Sequence, residues 1–183
     1  MAKLNSEYNN IMNNTESFNI IQKEFELISK DDIFIHVFGF KFGLENNNIY
    51  RWNVTIPGPE DTEYKGGNFI LQIVFPKDYP KNVPEFRYKT KIYHVNVDPE
   101  TGYINILDHY IANCFSIKKA LMTIYSFFYV QLFGSPIDSS KAELYRTNRE
   151  MFNEKVKEWI KKYASINYII IINFISIFLY FIF

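Results

Sequence analysis

"YRWNVTIPGPEDTEYKGGNFILQIVFPKDYP", residues 50–80, contains two alternating runs split by a connection rich in proline and glycine. In the first run Tyr50, Trp52, Val54 and Ile56 fall on one side, and Arg51, Asn53 and Thr55 on the other. In the second, Phe69, Leu71, Ile73 and Phe75 share a face. A period of two marks a strand with one buried face, because successive side chains point to opposite sides. The connection "PGPEDTEYKGG" and the closing "PKDYPKNVP" break both runs, since proline donates no backbone N–H. Upstream, "DIFIHVFGFKF" (residues 32–42) is β-branched and aromatic and predicts a strand, followed by a turn at Asn46–Asn48. Downstream, "EFRYKT" (residues 85–90) predicts a short fourth strand. Consecutive strands with short links imply an antiparallel meander.

Helical patterns flank the strands. Residues 1–16 are polar and asparagine-rich and read as an arm, loose or weakly helical, outside a core domain over 17–164. Ser17 is placed to cap a helix in which Ile21, Phe25 and Ile28 share a face, flanked by Phe18 and Leu27. After Thr90 no clean period returns until about Asn113. "SIKKALMTIYSFFYVQLF" then places Ile117, Leu121, Ile124 and Phe128 on one stripe. "SSKAELYRTNREMFNEKVKEWIKKYA" is charged and helical, with Leu144, Tyr145, Phe152, Val156 and Trp159 as its inward set. The predicted class is α+β: an N-terminal helix, a four-stranded meander and C-terminal helices.

Composition narrows the function. The 183 residues suffice for one domain with a real core. Twenty basic and twenty acidic side chains cancel, so bulk charge gives no support for nucleic-acid binding. Asparagine and isoleucine are abundant, as in A/T-rich coding sequence, so single choices of either carry little weight. The one cysteine, Cys114, excludes an internal disulfide and suits a reducing, cytosol-facing body. His36, His94 and His109 match no metal-ligand spacing.

The order "IIQKEF", "GPEDTEYKGG", "FPKDYP", "VPEFRYKTKIYHVN", "TGYI", "SIKKAL" and the final helical pattern strongly resembles the ubiquitin-conjugating enzymes, over roughly Phe18 to Ala164. The resemblance implies that family's fold and its chemistry. In that chemistry ubiquitin is held as a thioester on a cysteine and passed to a lysine, because a thiolate both attacks and leaves readily. Family members carry the cysteine in an Ile-Cys-Leu-Asp-Ile-Leu run after a His-Pro-Asn triplet. Here the triplet is His94-Val95-Asn96, and "GYINILDHY" (residues 102–110) has no thiol. Either Asn105 replaces the cysteine, or Cys-Leu is absent and Asn105-Ile106-Leu107 match Asp-Ile-Leu. The gap is preferred because it keeps "SIKKAL" in register.

Other departures accompany this one. A family acid that helps the incoming lysine falls at Ser135, a ligase-facing phenylalanine at Lys81, and a Trp-Ser-Pro-Ala run at Ile111–Cys114. Asn96 remains, as an oxyanion donor or as a brace for its loop; without an acyl intermediate the brace is the better reading. Cys114 is read as a small apolar filler before it is read as a relocated nucleophile.

The resemblance thus implies a pseudoenzyme of the ubiquitin pathway with no small-molecule or metal cofactor. Its expected partners are ubiquitin or a ubiquitin-like protein, and an active conjugating enzyme or a ubiquitin ligase. The alternative is an active transferase, either through Cys114 or because Cys-Leu is lost only in the gene model. Residues 166–183, "INYIIIINFISIFLYFIF", carry no charged side chain. At ~1.5 Å per residue they span roughly 27 Å, close to a thin bilayer. With Lys155, Lys157, Lys161 and Lys162 ahead of them, they read as a tail anchor for the endoplasmic-reticulum membrane. The other readings are translated non-coding sequence and a β-aggregating segment.

Overall fold

The computed structural model describes residues 2–104, 115–134 and 136–165, with side chains from Thr15 onward. In chain order come helix α1 (Ala2–Ile28), strands β1 (Lys41–Glu45), β2 (Asn48–Pro57), β3 (Asn68–Val74) and β4 (Glu85–Tyr88), then helices α2 (Ile117–Ser126), α3 (Ser139–Thr147) and α4 (Arg149–Trp159). The strands form one antiparallel sheet in the order β1-β2-β3-β4, as the meander requires.

The period-two reading fixes the core. Trp52, Val54 and Ile56 of β2 and Phe69, Leu71 and Ile73 of β3 are buried together with Phe75. Opposite them, Ile117, Leu121, Ile124 and Phe128 are buried beneath the sheet. Helix α1 closes one side: Ile21 and Ile28 are buried, and the Phe25 ring meets Trp52 edge-on at 5.0 Å. The Asn46–Asn47 turn has φ of 52° and 56°, the two left-handed residues of a type I′ hairpin. Asparagine tolerates that region better than other non-glycine residues, so these two carry structural meaning.

Two local expectations change. Ser17 does not start the helix, because α1 begins at Ala2 and Ser17 lies inside it. Its buried hydroxyl lies 2.7 Å from Lys77 O and 2.6 Å from Tyr79 O, so one proton ties α1 to the turn after β3. The segment Ile33–Val37 is a π-helical turn rather than strand. Asp31 Oδ1 accepts from the Ile33 and Phe34 N–H groups at 3.0 and 3.3 Å, which starts a turn where β propensity alone predicts extension. Gly39, at φ 70°, ends it and lets β1 begin at Lys41.

Candidate functional site

The His94-Val95-Asn96 triplet is buried in the loop after β4. The Asn96 N–H donates to His94 Nδ1 at 3.0 Å, so the ring proton is on Nε2 and is donated to Phe127 O at 2.9 Å. Burial pushes the His94 pKa down from 6.5 to about 4, against the opposing pull of the Phe127 carbonyl. At neutral pH this is an uncharged, hydrogen-bonded imidazole whose two nitrogens are both engaged.

Asn96 is equally committed. Its Nδ2 donates to Leu132 O at 2.8 Å, and its Oδ1 accepts from Leu132 N–H at 2.9 Å. The carboxamide thus pairs with the Leu132 backbone as a strand neighbour would. Val95 adds a third link. Its N–H donates to Gln131 Oε1 at 3.1 Å, and its carbonyl accepts from Ile137 and Asp138, each at 3.1 Å. A proline at this position would carry no N–H. With valine there, the additional donor is met by Gln131. The Gln131 amide in turn donates to the Tyr64 hydroxyl at 3.1 Å, which donates to Tyr93 O at 3.0 Å.

Below the triplet lies a buried lysine that the sequence reading did not single out. Among the described residues Lys141 Nζ has no hydrogen-bond partner, although it is 3.2 Å from Asp138 Oδ2 and 5.1 and 5.6 Å from the Tyr93 and Trp159 ring centres. The ammonium is therefore balanced by a carboxylate and two aromatic faces. Burial alone would raise the Asp138 carboxyl; the Ser140 hydroxyl, the Lys141 N–H and the Lys141 charge outweigh it and hold the group below its usual range.

Gly102 fixes the approach to the missing-thiol stretch. Its φ is 69°, and a Cβ there would lie 1.9 Å from Tyr88 O. The Tyr88 N–H donates to Gly102 O at 2.8 Å, and Tyr103 and Ile104 make isolated bridges to Arg87 and Val97. Asn105, Cys114 and Ser135 lie outside the described residues, as does the 166–183 tail. Among the described residues no helix is long and apolar enough to cross a membrane, and no cluster of acids, histidines and cysteines could hold a metal ion. Lys81 is exposed beyond the cis Tyr79–Pro80 bond.

The sequence model of the family described as ubiquitin-conjugating enzyme matches residues 20–160. The chain belongs to the ubiquitin-conjugating enzyme family. It is 34% identical over 140 residues to the Arabidopsis thaliana protein named "Probable ubiquitin-conjugating enzyme E2 31", covering 76% of this chain and 87% of that one. A Plasmodium yoelii crystal structure described as that of a ubiquitin conjugating enzyme superposes with a TM-score of 0.71 at 30% identity, over 81% of this chain and 96% of that one. The E2 domain of a Toxoplasma gondii ubiquitin conjugating enzyme gives 0.68 at 32% identity, over 80% and 98%. Family membership implies dealings with ubiquitin, an activating enzyme and a ligase.

His94 and Asn96 are thus brought together, whereas Gln131, Tyr64 and Lys141 went unflagged in sequence. A signal for two of them was present. Gln131 interrupts the apolar "YVQLF", and Lys141 stands three and four residues before the inward Leu144 and Tyr145.

Proposed function

We propose that this chain works in the ubiquitin pathway as a non-catalytic member of its family, presenting ubiquitin-family partners instead of carrying them as a thioester. One observation carries the reading: residues 102–110 contain no sulfur, and Cys114 is the one thiol of the chain. An asparagine carboxamide is no substitute, because its nitrogen lone pair is delocalised and cannot open an activated carboxyl group. The engagement of Asn96 by Leu132 supports a bracing role for that side chain and not the service of an oxyanion. In the same reading the domain faces the cytosol, with residues 166–183 as a membrane anchor, and it pairs with an active conjugating enzyme or a ligase.

The test is charging. The full chain is incubated with ubiquitin, activating enzyme and ATP, then run on a non-reducing gel. No thiol-labile adduct is expected, while labelled ubiquitin still binds. A stoichiometric band that collapses with thiol overturns the reading, and its loss in Cys114→Ser would assign the enzyme to a relocated nucleophile.

A further inference from the structure

Where the described chain ends, the fold gathers cations from two places. Helix α4 runs on into a π-helical turn, Ile160–Ala164, on which Lys161 and Lys162 are exposed; Lys157 is exposed one turn earlier. The Tyr163 ring lies 5.1 Å from Lys162 Nζ and 6.0 Å from Lys91 Nζ, and meets Trp159 edge-on at 5.3 Å. Lys91 comes from the loop after β4, far away in sequence.

The local acids leave part of this group without an ion pair. Glu158 is paired with Lys155 at 3.4 Å, and Glu100 meets Lys91 only at 4.0 Å with its own side chain 84% exposed. Among the described residues Lys157 and Lys161 make no ion pair.

Lysines in a last helical turn favour the negative end of the helix dipole, and that alone could explain Lys157, Lys161 and Lys162. It does not explain Lys91, which is not on the helix. The Tyr163 ring beside Lys91 and Lys162 suits a membrane–water interface, where amphipathic rings and lysines concentrate. The uncharged 166–183 stretch follows directly.

We propose that Lys157, Lys161 and Lys162, at the C-terminal end of α4 and its π-helical turn, form with Lys91 a surface for the headgroups of anionic phospholipids. It rests on the reading of residues 166–183 as a membrane anchor. The lysine ammoniums would pair with headgroup phosphates and carboxylates while the tail holds the domain against the bilayer.

The experiment is flotation of the full chain with vesicles of phosphatidylcholine alone or with three parts in ten phosphatidylserine, at low and high salt. Stronger binding to the anionic vesicles is expected, weakened by salt and by roughly fivefold for each of Lys91→Gln, Lys157→Gln, Lys161→Gln and Lys162→Gln. Lys23→Gln, on the exposed face of α1, should change nothing. Equal flotation with both vesicle types, untouched by the variants, overturns the headgroup surface and leaves the anchor standing. No flotation with either removes the anchor and the proposal together. A loss with Lys23→Gln as large as with the other four also overturns it, because the attraction would then belong to the whole domain.

Discussion

Two polar clusters in this molecule make an instructive pair. Around the triplet, His94, Asn96, Gln131 and Tyr64 are buried and knit four stretches of chain together. On the outer sheet face, Glu45 gathers Arg51 at 3.3 Å, Gln72 at 2.9 Å and Lys89 at 2.6 Å. The outer cluster contains formal charges and the inner one contains none. The inner one is nevertheless expected to matter more. Water can replace an outer partner, whereas a buried group that loses its partner is left unpaired. The Lys89 hydrogen bond, opposed by partial burial, holds the Glu45 carboxyl below its usual range, yet Lys89 and Arg51 are each more than two-fifths exposed.

The contrast can be broken by substitution. Asn96→Leu strands both the N–H and the carbonyl of Leu132 and should cost about 4 kcal/mol, read from urea midpoints. A cost near that of a surface change would sink the inner cluster as a brace.

The pH dependence is the next largest effect. The His94 pKa is about 4 folded against 6.5 ordinarily, so the unfolded chain binds the proton more readily. Its contribution is complete above pH 6.5 and is lost as the pH falls towards 4, a swing of about 3 kcal/mol. His94→Gln should flatten that part of a stability–pH curve.

Gln131→Leu leaves the Val95 N–H unpaired and should cost about 2 kcal/mol. In a Val95→Pro background the donor is gone, so the same substitution should cost measurably less; equal costs in both backgrounds would dissolve the coupling. Smallest of all, a Glu45→Gln and Lys89→Met cycle should give less than about 1 kcal/mol of coupling, shrinking with salt.

The two clusters also differ in how legible they were. Strand alternation from Tyr50 to Phe75 predicted the sheet and its buried face, because period two is a property of neighbours in sequence. The α2 stripe was legible for the same reason. The Ile33–Val37 turn was not, since its β-branched residues spoke for extension while one Asp31 carboxylate decided otherwise. Ser17 has the chemistry of a cap, and only the fold brings Lys77 and Tyr79 to it. The triplet could be found by its resemblance to a family pattern. Gln131 and Tyr64, 36 and 31 residues from Val95, are joined to it only by tertiary structure.

Gly102 has a consequence for any attempt to place a thiol just after Ile104. Its backbone is pressed against Tyr88, so residues 102–104 cannot slide along β4 to make room. Inserting Cys-Leu behind Ile104 would have to be accommodated entirely on the far side, between that anchored edge and the start of α2 at Ile117. A repair by insertion therefore meets a wall upstream and must find its slack downstream.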